Sequence, residues 1–222
     1  MTTTIYENPN YSLAQRCAYQ TIFESELTTL PINFRKIERC FPNLKIRTFS
    51  WMAKTHNMSF KEVCKWARSE EGCCWYRESD NTYIILYNEK IGSPQRIRWT
   101  IAHELGHFIL KHNQRSNKRV MSRGPLSDSE YEVFEKEANC FARNLLVPIP
   151  IFSKILTEVS TINLFDIGEI CDISYEAAEY IINHLNDIQH KGLCIHSLYP
   201  QIAIPFEEYI ENLICELKSY TP

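Results

Sequence analysis

Trp99-Thr-Ile-Ala-His103-Glu104-Leu-Gly106-His107-Phe-Ile-Leu110 contains only three ionisable side chains, set in the order H-E-x-x-H. Four residues along a helix is about 400°, so His103 and His107 stand one turn apart on one face, where both imidazoles can reach a single Zn2+. Glu104 lies about 60° to 100° around from them, beside the ion's open position, where a carboxylate takes a proton from water instead of ligating. The rest of the stretch is apolar, as in a buried helix. Two imidazoles and a carboxylate without partners would cost several kcal/mol there, and a metal removes that cost. Core histidines satisfied by hydrogen bonds are the competing reading for either one alone. Gly106 costs about 1 kcal/mol relative to Ala in mid-helix, which implies that another element approaches closely on that side.

A catalytic zinc needs a third protein ligand and keeps its fourth position for water. Tyr131 to Leu146 (YEVFEKEANCFARNLL) offers Glu132, Glu135 and Glu137. On a helical projection Tyr131, Phe134, Ala138, Phe141, Ala142, Leu145 and Leu146 form the apolar arc. Glu135 falls inside that arc and Glu137 at its margin. A carboxylate in a buried arc needs a cation, so Glu135 is the choice for third ligand and Glu137 the reserve. Asn139, one turn beyond Glu135, is placed to orient a ligating imidazole by hydrogen bonding.

Working outward, Ser93-Pro94 caps and opens the first of these helices, which runs to about Lys111. Ahead of it, Cys74 to Arg77 and Thr82 to Asn88 (TYIILYN) read as a hairpin across Glu78-Ser-Asp-Asn81. Asn43 to Phe49 alternates like a strand. Ser59 and Glu62 make a capping box for a helix to about Ser69, and two helices, Ser12 to Leu27 and Phe34 to Phe41, flank Pro31. Ser127-Asp-Ser129 caps the Glu135 helix, which stops before Pro148. Short helices follow over Phe152 to Val159, Leu164 to Cys171, Ser174 to Ile188 and Phe206 to Leu217.

The 222 residues carry 24 Lys+Arg against 27 Asp+Glu, a formal charge of -3, and 44% hydrophobic residues. That suffices for one sizeable core and gives no global pull toward nucleic acid or anionic membrane. Purely apolar runs are far shorter than the roughly 20 residues that cross a bilayer, and the N-terminus lacks a signal-peptide pattern. Nine cysteines in no framework spacing suit free thiols in a reducing cytoplasm, with Cys73-Cys74 the one pair that could be a redox or metal element. Lys111, Arg115, Lys118, Arg119 and Arg123 read as a solvated basic loop. Leu164 to Leu185 resembles a helix-turn-helix, but its second helix bears Glu176, Glu179 and Asp187, which phosphates repel.

The HELGH motif followed by E-x-x-A-N-x-F-A-x-x-L-L-x-P, here Glu135 to Pro148, resembles the ImmA/IrrE metallopeptidase family. The resemblance is firm over Thr82 to Pro148 and weaker over Phe34 to Asn81 and Phe165 to Leu185. It implies an α+β zincin-like domain, mostly helical, with a small mixed sheet whose edge strand precedes the zinc helix. Residues 34–150 would form the catalytic core, 1–33 an N-terminal helical segment and 151–222 a C-terminal helical subdomain. One Zn2+ per chain would be held by His103, His107 and Glu135, with Glu104 activating water. Asn139 stands where related zincins carry Asp, a stronger acceptor. The implied substrate is a DNA-binding helix-turn-helix repressor, cut without direct contact of the enzyme to nucleic acid or membrane. Extended substrate would add to the edge strand Thr82 to Asn88 along Tyr83, Ile85 and Tyr87. Tyr83, Tyr87, His112 and Tyr175 are candidate donors to the oxyanion. The alternative function is a metal-stabilised regulatory or binding protein, an anti-repressor or antitoxin-type partner, acting without proteolysis.

Overall fold

The computed structural model describes residues 8–116, 118–121, 128–159, 162–190 and 200–219. Along the chain these form α1 (Tyr11–Glu24), α2 (Phe34–Cys40), β1 (Leu44–Thr48), α3 (Phe49–His56), α4 (Phe60–Ala67), β2 (Gly72–Arg77), β3 (Thr82–Tyr87) and α5 (Pro94–Ile109). There follow α6 (His112–Ser116), β4 (Val120–Met121), α7 (Asp128–Leu146), α8 (Ile149–Glu158), α9 (Leu164–Cys171), α10 (Tyr175–His190) and α11 (Glu207–Ser219). The backbone divides into two compact units. The first takes the N-terminal residues through Ala18 together with Phe41–Arg143; the second takes Tyr19–Cys40 and the residues from Asn144 onward.

In the first unit the four strands make a mixed sheet in the order β1-β3-β2-β4. β3 pairs in parallel with β1, from Leu44↔Tyr83 to Thr48↔Tyr87, and antiparallel with β2, from Gly72↔Tyr87 to Arg77↔Thr82. Among the described residues β4 pairs with β2 at Cys74↔Met121 and Trp75↔Val120. The strand expected at the edge is therefore interior. Tyr83, Ile84, Ile85 and Leu86 are all buried, as in a strand covered on both faces, and such a strand reads as an unbroken apolar run rather than an alternation. Backbone pairing on both flanks leaves β3 no row of groups for an added strand.

Alternation along β2 and β3 separates two faces. Cys73, Ile84 and Leu86 pack with Phe49, Met52, Val63 and Ala67 of α3 and α4. The other face meets α5, where the Tyr83 and Phe108 rings lie 4.9 Å apart. Helix α3 replaces what reads as the end of a strand: Thr48 caps it by accepting from Trp51 N, and Asn57 closes it at φ 52. The Ser59–Glu62 capping box forms as expected. Ser93 accepts from Arg96 N with Pro94 at the start of α5. Ser127, the expected cap of α7, lies outside the described residues.

The second unit buries Ile149, Ile151, Phe152 and Ile155 of α8 and Ile210 and Leu213 of α11, with a Lys154–Glu207 ion pair at 2.8 Å between the two helices. Asn163 and Asp166 form a capping box for α9. Ile167, Cys171, Ala178 and Ile181 are buried in the α9 and α10 pair, while Glu176 and Glu179 are exposed. By length and composition alone, one stretch, Tyr131–Glu158, is apolar enough to cross a membrane. It comprises most of α7 and all of α8, and 78% of its window is buried, as for core helices.

Candidate metal centre and cleft

Helices α5 and α7 build the site, and Gly106 is where they meet. A Cβ on Gly106 would lie 3.0 Å from Ala138 Cα and 3.2 Å from Ala138 O, so the close approach inferred from that glycine is the α5–α7 contact. It brings Glu135, one turn from Ala138, to the two histidines. The Glu135 carboxylate lies 3.3 Å from His103 Nε2 and 3.2 Å from His107 Nε2, and the two Nε2 atoms lie 3.1 Å apart. The carboxylate meets His103 through Oε2 and His107 through Oε1, and spacings near 3.2 Å suit ligand atoms sharing one ion at about 2.0 Å. His103, His107 and Glu135 are the one group among the described residues able to hold a metal together.

The electrostatics of the group draw positive charge to that point. Burial alone would depress His103, but the Glu135 hydrogen bond and the Glu104 and Glu135 charges outweigh it and hold the imidazole up at about 9. Burial opposes ionisation of Glu135 too, yet the His103 and His107 rings beside it keep its carboxyl well below the usual carboxylate range. Burial pushes His107 down. Glu104 is not one of the three converging residues. Burial pushes it up to about 8, against a lowering contribution from His103 and with a backbone hydrogen bond from Cys74. Its Oε2 is buried with no hydrogen-bonding partner among the described residues, so a polar group belongs against it.

Asn139 Oδ1 lies 3.0 Å from His103 Nδ1, the position read from the sequence. Glu137 is elsewhere: its Oε2 is 3.0 Å from His112 Nε2 and 2.5 Å from Arg115 Nη1, and its Oε1 accepts from Asn10 N at 2.8 Å. Burial would raise it, but those three donors hold it at about 2. The reserve ligand is thus spoken for by another cluster. His112, weighed as an oxyanion donor, is fully buried with both ring nitrogens engaged, Nδ1 at 2.8 Å from His107 Nδ1. Burial, opposed by Glu137, leaves it at about 3. Arg115, in α6, is part of this cluster; Lys111, Lys118 and Arg119 lie in turn or loop, Lys111 and Arg119 are exposed as expected of a solvated loop, and Arg119 pairs with Glu78 at 2.6 Å. Arg123 lies outside the described residues.

A cleft of about 430 Å³ opens over the three ligand atoms, walled by Arg68, Ser69, Glu70, Glu71 and Gly72 on one side and by Tyr131, Glu135 and Asn139 of α7 on the other. Tyr83, Ile85 and Tyr87 are not among its lining residues. The Tyr83 hydroxyl accepts instead from Gln114 at 3.1 Å, and Tyr175 belongs to the second unit. The strand-side wall is the start of β2. There a Cβ on Gly72 would come within 2.6 Å of Thr100 Cγ2 and 2.8 Å of Leu86 O, with Glu104 Cγ at 3.5 Å, so only glycine lets the strand pass this close to α5 and the sheet. Sequence reasoning missed Gly72 and treated Tyr131 as core. The 131, 135, 139 spacing, one turn apart each time, was the available signal for Tyr131. Cys73 and Cys74 are fully buried, and burial raises both thiols well above their ordinary range, which keeps them protonated and inert.

A helix presenting two imidazoles and a buried carboxylate, against a second helix supplying a glutamate, makes a candidate centre of the metallopeptidase type. The IrrE N-terminal-like domain, Peptidase_M78, matches residues 56–183, more than half of the chain, and the protein belongs to that family. No curated protein matches the chain.

Proposed function

We propose that the protein is a zinc-dependent endopeptidase that cuts a specific protein in the cytoplasm, a DNA-binding helix-turn-helix repressor or a related regulator. The observation that carries this reading is the convergence of His103, His107 and Glu135 ligand atoms within 4.8 Å, beside a buried Glu104 Oε2 with no hydrogen-bonding partner among the described residues. A His2Glu donor set suits zinc with one position left open.

Zinc, when bound, supplies polarisation of the scissile carbonyl and lowers the pKa of water. Glu104 takes the proton of the attacking water as the new C–O bond forms and passes it to the departing amine as the C–N bond breaks. Asn139 accepts from His103 Nδ1 and so turns Nε2 toward the ion. Extended substrate lies along the cleft wall at the start of β2, where Gly72 lines the cleft.

Elemental analysis and a cleavage assay test this together, with the repressor encoded beside the gene as the first substrate tried. Wild type should carry near-stoichiometric zinc and Glu135→Ala almost none. Glu104→Gln should keep the zinc and lose about 10²- to 10⁴-fold in cleavage rate. No zinc in wild type after reconstitution would sink the proposal. Zinc present with cleavage unaffected by Glu104→Gln would leave the metal as a structural support of a binding protein.

A further inference from the structure

His107 does not donate its second ring nitrogen to a carboxylate or a backbone carbonyl, the usual partners of a ligating imidazole. It meets another imidazole. His107 Nδ1 and His112 Nδ1 are 2.8 Å apart, His112 Nε2 and Glu137 Oε2 are 3.0 Å apart, and Glu137 is closed off by Arg115 Nη1 at 2.5 Å and the Asn10 amide at 2.8 Å. Proton counting along this row has one solution with both rings neutral. Glu137 can only accept, so His112 carries its proton on Nε2 and offers a bare Nδ1. His107 must then donate from Nδ1, which leaves its Nε2 lone pair facing His103 and Glu135.

The row is rigid. Lys111, in the left-handed conformation at φ 59, turns the chain between α5 and α6 so that His112 comes back against His107 one position later. The His112 ring stacks on Phe134 with centroids 4.6 Å apart, and the Arg115 guanidinium lies 4.7 Å from the same ring. Helix α7 thus holds His112 by its ring face and its Nε2, which leaves Nδ1 aimed at His107.

We propose that His112 and Glu137 are positioning residues that set the tautomer and ring orientation of His107 for metal binding, Glu137 acting from behind His112 rather than on the ion. The proposal rests on the metal reading of His103, His107 and Glu135.

The test is zinc affinity by chelator competition, with Co2+ absorption as a probe of ligand geometry, on wild type, His112→Phe, His112→Gln and Glu137→Gln. His112→Phe keeps the ring and the Phe134 stack but removes both nitrogens; it should bind zinc about 10- to 100-fold more weakly and shift the Co2+ bands. His112→Gln restores one acceptor and one donor and should recover most of that loss, which a merely space-filling role would not predict. Glu137→Gln, which still accepts but no longer carries charge, should fall between. A His112→Phe protein with wild-type affinity and spectrum would overturn the proposal. Wild type that binds no zinc would overturn the metal reading with it. Zinc-loaded wild type offers a readout independent of any variant's folding: the His107 Nδ1 proton should show 15N–15N coupling across its hydrogen bond to His112 Nδ1. A His107 Nδ1 proton coupled to no second imidazole nitrogen would overturn the proposal.

Discussion

Asn139 shows how much one uncharged acceptor is asked to do. Its Oδ1 is 3.0 Å from His103 Nδ1, and an amide oxygen is a weaker acceptor than a carboxylate for a donor that gains positive character on ligation. Asn139→Ala removes the acceptor and frees His103 to rotate, so zinc affinity should fall about 10- to 100-fold. Asn139→Asp should bind zinc at least as tightly as wild type. Competition titration against a chromophoric chelator reads both, and an Ala variant indistinguishable from wild type would end the orienting role. Placement on a helix face was legible from periodicity: the two histidines one turn apart, Glu135 inside the apolar arc, Asn139 a turn further. His112 was not, because its partner depends on the reversal at Lys111, φ 59, and a left-handed lysine has no signature in a polar stretch. Glu137 at the arc's margin reads equally well as ligand or as surface; its burial, 1% exposed, comes from α6 and the Asn10 amide, which lie on other elements.

Between elements, the separation of α5 from α7 is set at Gly106. Alanine ordinarily stabilises a helix interior by about 1 kcal/mol over glycine. Here the added methyl would meet Ala138 backbone atoms at 3.0 and 3.2 Å, and backbone cannot step aside as a flexible side chain can. Overpacking of that kind costs about 1–3 kcal/mol, so Gly106→Ala should be destabilising in urea unfolding. It should also weaken zinc binding, because Glu135 moves with α7. Gly168 in α9 is the control: a Cβ there meets Ile173 O at 3.6 Å, an ordinary contact, and Gly168→Ala should be neutral or stabilising. Equal effects at the two glycines would show that helix propensity, not close approach, governs both. That a neighbour had to lie close to Gly106 was readable in the sequence, since glycine in mid-helix needs a reason. The position of β3 was misjudged because hairpin adjacency reveals only the β2 side. Its parallel partner β1 is distant in sequence and left no local mark except the unbroken apolar run, a mark of a covered strand. Helix α3 was hidden because its cap, Thr48, looks like the end of an alternating strand.

For the molecule as a whole, the compact units interleave segments distant along the chain, which a pass from one end to the other has no means of seeing. Every candidate ligand and its supports, on α5, α6 and α7, fall within the first unit. Zinc binding must therefore appear as folding free energy of that unit, about 4 kcal/mol when free zinc exceeds the dissociation constant a thousandfold. The same protein has exposed thiols at Cys40 and Cys215, soft ligands that can carry zinc without touching the centre, so metal content alone does not locate the ion. Hydrogen exchange does. Zinc at His103, His107 and Glu135 ties α5 to α7 and should slow amide exchange in α5, in α6 and in α7 through Arg143, and a chelator should reverse it. Any zinc that Glu135→Ala retains on its thiols should give none of that protection. Stoichiometric zinc with exchange in α5 and α7 unchanged would mean that the ion sits elsewhere, and the three converging side chains would then be a hydrogen-bonded cluster that fixes the two helices against each other.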